Sequence, residues 1–404
     1  MNTKAKESGK TVIIGLTGRV DSAVAAFLLQ KQGFNVIGLS IIGSNPDLVD
    51  KPEQLPKCHI DNLEKVKEFC DKIGIPFYAT NTVSRFNSEV IDKLVSNKIL
   101  GQANSSCFNC TRTRFNILLE KMHTLKADYI ASGHFAKVHK NHSTGESFIY
   151  PNQDIGSDQS FLLAGLNHEV LDHLLLPLGE LRKAEVEKIA KKFNLITTES
   201  KNQTGFCFRS KESAKKILDT NVPKSLKRSG VVENTINDTT IGEHESMIFH
   251  YIGEVEPSFK DSSHVDKNLQ ITNFDFKSST IYLGHEEDVT FEGTQLYDMH
   301  FAKHFDISKP LACFVKFKYS NAFIRVDLYF KNNNSSMVDF HSKVYPLIPG
   351  EVLVFYDKNT TNAKIIGWGL VGKRGEFKIM NRVADFEAQR DEEEAVKPHN
   401  YWKF

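Results

Sequence analysis

In the first half of the chain, short solid apolar runs alternate with longer stretches at helical period. Residues 12–16 (VIIGL) form an unbroken apolar run, the pattern of a strand buried on both faces. Residues 21–31 follow at helical period and close at Gly33, which suits a helix C-cap. Strands are then predicted at 36–42, 77–80 and 128–131, with helices near 61–73, 86–99 and 113–124. Strands alternating with helices predict a doubly wound parallel sheet, which binds ligands at the carboxyl ends of its strands. The turn at 15–22 falls there. Residues 180–230 read as helical and mixed. From about residue 270 the period shortens to two, in LACFVKFKYS, AFIRVDLYF, EVLVFYDK and AKIIGWGLV. That pattern predicts a small antiparallel barrel or sandwich. The ending DFEAQRDEEEAVKPHNYWKF is a charge-rich tail.

A length of 404 residues implies two or three domains. A formal net charge of +1 argues against a non-specific polyanion binder but leaves room for a local basic patch. No apolar run reaches the roughly 20 residues that span a bilayer, and the opening MNTKAKESGK has no signal-peptide core. A cytoplasmic protein with no membrane partner is expected. Six cysteines in this length are not a disulfide scaffold. Cys70 and Cys313 sit in apolar patterns and read as core thiols, and Cys58 is uninformative. Cys107, Cys110 and Cys207 remain.

The turn GLTGRVDS (15–22) joins a predicted strand to a helix N-terminus, where backbone N–H groups and the helix dipole converge on an anion. The lysine-bearing Walker pattern is absent. The turn resembles the SGG-x-DS loop of the ATPases that split ATP between its α- and β-phosphates. Gly18, Asp21 and Ser22 match that loop, Thr17 stands for its serine, and Arg19 replaces its second glycine. Further stretches follow in order: ADYIASGHFAKV (127–138), SDQSFLLAGL (157–166), LLLPLGELRKAEVEKIAKKFNL (174–195), KNQTGFCF (201–208), IPGEVLVFYDKN (348–359) and IIGWGLV (365–371). Together they resemble the tRNA-specific 2-thiouridylases, the MnmA/TrmU family.

That resemblance implies an α/β plus β architecture. A nucleotide-binding and catalytic domain of the PP-loop ATPase type would span residues 1–209, a small central domain 210–275, a β-barrel 276–375 and a charged tail 376–404. The implied reaction replaces the C2 oxygen of the wobble uridine with sulfur. ATP, with Mg²⁺, adenylates that oxygen, and a cysteine persulfide then supplies the sulfur. Partners would be tRNA and a sulfur donor, either a cysteine desulfurase or a sulfur-relay protein. ATP would be held by Gly15, Leu16, Thr17, Gly18, Arg19, Val20, Asp21, Ser22 and Gly133, with Ile41 near the adenine.

Two thiols carry such chemistry, one bearing the sulfane sulfur and one attacking or resolving the persulfide. By resemblance, Cys207 is the persulfide carrier and Cys110 its partner, closing a disulfide in the cycle. Cys107 stands where many relatives have an aspartate proposed as general acid/base. Cys107, Cys110 and Cys207 also compose a ligand set for a [4Fe–4S] cluster with one open iron, and both readings stay open. A zinc site, with His134 as the fourth ligand, fits less well. His134 is read either as an RNA or nucleotide contact or as a structural histidine. Ser157, Asp158 and Gln159 match a stretch that touches tRNA in the family, or else cap a turn. Lys318 and Tyr319 keep a basic–aromatic pair on the barrel.

Several positions depart from the family pattern. Arg19 intrudes on the phosphate loop, Ser157 replaces a lysine, and Asn202-Gln203 replace Asp-Ser. Glu351 replaces a glutamine, and the turn Gly-Glu-Val-Glu-Pro (253–257) is acidic where RNA phosphate is expected. An active thiouridylase and a non-catalytic relative binding RNA, nucleotide or a partner protein are the two functions these substitutions leave.

Overall fold

The computed structural model describes residues 9–43, 63–195, 211–255, 259, 268–302, 306–317, 322–332, 334–344 and 346–372. The chain opens with β1 (Thr11–Gly15), α1 (Val20–Lys31), β2 (Asn35–Ile42), α2 (Leu63–Ile73) and β3 (Phe77–Asn81). Next come α3 (Val83–Phe86), a π-helical turn (Asn87–Ile91), α4 (Asp92–Ile99), α5 (Ser106–Thr124) and β4 (Tyr129–Ala131). A hairpin, β5 (Ala136–Lys140) and β6 (Ser147–Pro151), leads to α6 (Ser160–Leu163), α7 (His168–Asp172), β7 (Leu174–Leu175) and α8 (Lys183–Lys192).

The five strands β3-β2-β1-β4-β7 form one sheet in that order, and every neighbouring pair is parallel. The doubly wound expectation holds. Side-chain alternation along β1 explains its unbroken apolar run. Val12 and Ile14 pack with α1, α2 and α8 on one face, and Ile13 packs with α5 on the other. All three are fully buried, each contributing on the order of 1.5–3 kcal/mol. Among the described residues no helix is long and apolar enough to cross a membrane.

After α9 (Lys211–Asn221) come β8 (Gly230–Asn234), β9 (Thr239–His244), β10 (Gln270–Asp275) and β11 (Thr280–Gly284), in a separate sheet ordered β10-β11-β8-β9. Sequence patterning missed this sheet. β9 (TTIGEH) has one fully buried residue in six, so no two-residue apolar alternation announces it. The alternation read from residue 270 onward starts in this sheet, with β10 and β11 pairing across residue 276.

The barrel is closed by β12 (Phe291–Phe301), β13 (Leu311–Lys316), β14 (Ile324–Asn332), β15 (Ser335–Val344), β16 (Val352–Tyr356) and β17 (Ile365–Val371), in the order β12-β15-β14-β13-β16-β17. Its β16 and β17 are buried on both faces because the barrel sits on the parallel-sheet domain. Val352, Val354, Tyr356, Ile365 and Trp368 share a continuous core with Phe108, Phe115 and Leu118 of α5. Cys70 and Cys313 are core thiols, and burial, with nearby Asp71 second, pushes Cys70 up to about 12.

Candidate active site

Register places the loop residues together. β1 runs beside β2 and β4 with Gly15 opposite Leu39 and Ile14 opposite Ala131. The residues just beyond these pairs, 16–19, Ile41 and 132–134, therefore crowd one edge of the sheet. Gly18 takes φ +72°, the loop's one left-handed residue, where a side chain would be strained. Arg19 has φ −111° and ψ 159°, an extended conformation open to any residue. The family's second glycine is thus not required by backbone geometry here.

The loop is stitched by Ser22. Its hydroxyl donates to Arg19 O (3.0 Å), accepts from Thr17 N (3.2 Å) and lies 3.2 Å from the Thr17 hydroxyl. Arg19 occupies the N-cap of α1, and its side chain makes no capping hydrogen bond. A guanidinium has no acceptor to offer the first-turn amides. Gly133 closes the loop from β4. A Cβ there would lie 2.7–2.8 Å from the Asp21 carbonyl and the Ser22 amide nitrogen, an approach only glycine permits. Asp21 accepts from Lys183 at the first turn of α8, and the same ammonium lies 5.3 Å from the Phe135 ring centroid. The sequence reading quoted Lys183 inside a motif and gave it no role.

α5 begins at Ser106, seven residues before the predicted helix. Cys107 and Cys110 thus sit on its first turns, one turn apart, both half-buried. The segment before them is pinned from the barrel: Ala103 N donates to Pro349 O (2.7 Å), and the Gly350 turn packs on Gln102. Asn97 donates to Ala103 O and to the Ser105 hydroxyl, and the Asn104 side chain receives Ser106 N. The Pro-Gly-Glu turn of the barrel therefore positions the cysteine helix.

Arg114, one turn after Cys110, donates through Nε to Cys110 Sγ at 3.3 Å and reaches Ile41 O at 3.5 Å. The sequence reading missed it, because a helix starting at residue 113 hides the four-residue spacing. His134 lies on the far side, half-buried, its Nδ1 2.9 Å from the Ser132 hydroxyl and its ring against Phe115. Loss of solvent first, and the Arg114 charge second, push it down to about 4. At neutral pH it is an uncharged imidazole.

Ser157, Asp158 and Gln159 come together as a turn. Ser157 donates to Asp154, and Gln159 is bonded to Phe135 through both its side chain and its amide. The Asp158 carboxylate accepts from the Asn152 and Ser160 amides, the Ser160 hydroxyl and Lys316 of the barrel, with its side chain 4 % exposed. Asp158 thus caps the turn and is enclosed between domains. Glu254, the first acid of the Gly-Glu-Val-Glu-Pro turn, is 1 % exposed and faces His250 at 3.2 Å. Its charge points inward, which corrects the expectation of an acidic surface at that residue. Glu351 is buried as well.

Cys207, Lys318, Tyr319 and the Asn202-Gln203 pair lie outside the described residues. Cys107 and Cys110 are two of the three thiols a cluster would need, and among the described residues no set of three metal-ligating side chains converges.

Residues 10–211 match the profile described as the tRNA methyl transferase HUP domain, and residues 292–371 match that of the aminomethyltransferase β-barrel domain. The tRNA-specific 2-thiouridylase MnmA of Clostridium beijerinckii is 28% identical over 363 residues, covering 90% of this chain and 98% of its own. That of Streptococcus uberis is 28% identical over 367 residues, covering 89% and 94%. The chain belongs to the tRNA-specific 2-thiouridylase family. Among solved structures, a 4-thiouridine synthetase–RNA complex with bound ATP aligns at TM-score 0.34 and 17% identity, over 52% of this chain and 51% of the other.

Proposed function

We propose that this protein is an active tRNA 2-thiouridylase of the cytoplasm, an ATP-dependent sulfurtransferase acting on the wobble uridine. The observation that carries the reading is that Arg114 touches both the half-buried thiol of Cys110 and the end of β2, the strand paired with the one that leads into the phosphate loop.

In this reading ATP lies along residues 15–22 and Gly133, with Ile41 at the adenine and Lys183 and Arg19 as the cations nearest its phosphates. Asp21, paired with Lys183 here, would be the loop's carboxylate toward Mg²⁺, which would neutralise pyrophosphate charge when bound. The uridine C2 oxygen attacks the α-phosphate, forming an O–P bond and releasing pyrophosphate. The terminal sulfur of a Cys207 persulfide then bonds to C2, and AMP leaves with the oxygen. The Cys110 thiolate attacks Cys207 Sγ, so the new sulfur stays on the base and a Cys110–Cys207 disulfide remains. A thiol reductant returns both cysteines to the start, and a cysteine desulfurase or relay protein reloads Cys207. Cys107 is a proton carrier in place of the family aspartate. Lys318 and Tyr319, with Ser157 at the rim, are the tRNA contacts.

The test is mass spectrometry of nucleosides from unmodified tRNA incubated with the protein, Mg-ATP and a persulfide source, in air and anaerobically. 2-Thiouridine in both conditions, lost in Cys207→Ser, is expected. Product only without oxygen would replace the persulfide with a [4Fe–4S] route through Cys107, Cys110 and Cys207. No product from folded protein would replace the enzyme with a binding relative.

A further inference from the structure

Arg112 stands two residues after Cys110, about 200° around α5, and so projects from a different side of the helix. It is half-buried, its guanidinium 5.8 Å from the Trp368 ring centroid, and among the described residues it has no hydrogen-bond or ion-pair partner. Five N–H donors held partly out of water without an acceptor are unfavourable unless something else accepts from them. The stem passes Gly165, where a Cβ would lie 2.9 Å from Arg112 Cδ, so this glycine leaves room for the arginine to reach the barrel.

Arg112 and Trp368 line a cavity of about 250 Å³ at the seam between the catalytic domain and the barrel. Ile149 of β6, Leu163 of α6 and Ile365 of β17 supply apolar wall. His300 of β12 stacks on Trp368 at 4.2 Å and 17°, and the pair forms a flat aromatic wall. The nearby carboxylates face other groups. Asp298 lies 3.0 Å from His300 Nε2, Asp172 accepts from the Ser147 hydroxyl, and Glu146 faces His168 at 3.8 Å. Lys364 lies 4.8 Å from the ring centroid of Phe148, a lining residue, and adds positive potential without lining the cavity itself.

We propose that this cavity is a binding site for a small planar aromatic carboxylate, its ring against the His300–Trp368 stack and its carboxylate bonded by Arg112. The site goes beyond the thiouridylase reading and does not depend on it. Size limits the occupant. The volume falls below the roughly 300–1,000 Å³ of sites for drug-sized ligands, which leaves room for one or two fused rings. The guanidinium fork matches a carboxylate in two parallel hydrogen bonds. A single lining guanidinium, with the Glu146 and Asp298 carboxylates beside the lining histidines, favours one negative charge over a phosphate dianion. An occupant would bridge α5 and α6 to β12 and β17, so binding should also stabilise the fold.

The probe is 2-naphthoate, with neutral 2-naphthamide as its control, each titrated into the full-length protein by calorimetry. 2-Naphthoate should bind one-to-one with a dissociation constant of about 1 mM or tighter, and at least tenfold more tightly than 2-naphthamide. Arg112→Gln should weaken 2-naphthoate about tenfold and leave 2-naphthamide unchanged. His300→Ala, at a half-exposed side chain, should weaken both probes several-fold. Saturating 2-naphthoate should raise the melting temperature of the wild type. A merely structural role for Arg112 would lower the melting temperature of its variant and leave the affinity in place. No binding of 2-naphthoate up to about 10 mM overturns the proposal, as does equal affinity for the two probes. So does an unchanged affinity in folded Arg112→Gln or, if that variant does not fold, in His300→Ala. Displacement of 2-naphthoate by ATP or by a short single-stranded RNA would assign the probe to the nucleotide or RNA site and overturn it as well. Absence of 2-thiouridine in the tRNA assay, with 2-naphthoate bound as expected here, would remove the proposed reaction and leave the carboxylate site standing.

Discussion

Lys316 of the barrel donates to Asp158 of the catalytic domain at 2.9 Å, with the two side chains 3 % and 4 % exposed. The pair is unequal. Asp158 has three further donors, whereas its partner's ammonium lies over the Phe323 ring at 4.3 Å. Tyr356, bonded to Ser160 beside them, is held protonated by burial first and the Asp158 charge second.

Removing the carboxylate should therefore hurt more than removing the ammonium. Asp158→Ala strands a buried charge and two amides and should cost about 3–5 kcal/mol. Lys316→Met leaves a carboxylate with its other three donors and should cost about 1–3 kcal/mol. Urea unfolding of both variants decides, and an equal or larger loss in Lys316→Met would reject the asymmetry.

Gly133→Ala should damage the phosphate loop selectively. Its methyl group would meet the Asp21 carbonyl and the Ser22 amide nitrogen at 2.7–2.8 Å, and both are backbone. Relief requires moving the start of α1, at a cost of about 1–3 kcal/mol. ATP affinity by calorimetry should fall at least tenfold, and affinity within twofold of wild type would show that the loop has room.

Arg19 is expected to assist nucleotide binding rather than block it. Its backbone is extended, so glycine offers no relief of strain there, and its cation borders the uncapped start of α1. Arg19→Gly should weaken ATP binding several-fold with little change in melting temperature. Tighter binding in the glycine variant would show instead that the arginine fills the phosphate site.

His134 should make the protein acid-sensitive. Its folded-state value of about 4 lies below the ordinary 6.5, so the unfolded chain takes up the proton first as pH falls. Stability from this residue is full above pH 6.5 and is lost progressively toward pH 4. Between pH 7 and pH 5 the loss should be about 2 kcal/mol. His134→Asn should unfold in urea with that much less pH dependence, and an identical slope would place the acid sensitivity elsewhere.

Much of this was legible in the chain itself. The unbroken run 12–16 announced a strand covered on both faces, and Gly18 and Gly133 fell where the loop needs them. Chemistry that depends on contacts between distant segments was not legible. Asp158 reads as a tRNA contact or a turn cap, and nothing in the sequence announces Lys316, which arrives from the barrel 158 residues later. Glu254 reads as surface charge until the turn folds it inward. Arg114 was hidden by a start placed too late in α5, because the polar stretch CFNCTR does not advertise buried Phe108 and Thr111. The sheet β8–β11 escaped because a strand like β9 buries so few of its residues.

Helix α5 has a second side. While Cys110 packs toward α4 and α9 and Arg114 reaches the end of β2, Phe108 packs edge-on against Trp368 of the barrel at 5.0 Å, and Arg112 lies 5.8 Å from the same ring. Because each residue advances an α-helix by about 100°, inserting one residue between Phe108 and Cys110 would rotate the thiol a quarter-turn or more relative to the barrel. The rod thus fixes an angular phase between two domains. A chimaera carrying a foreign barrel would inherit or lose activity according to whether that phase is kept, whatever the similarity of the grafted strands.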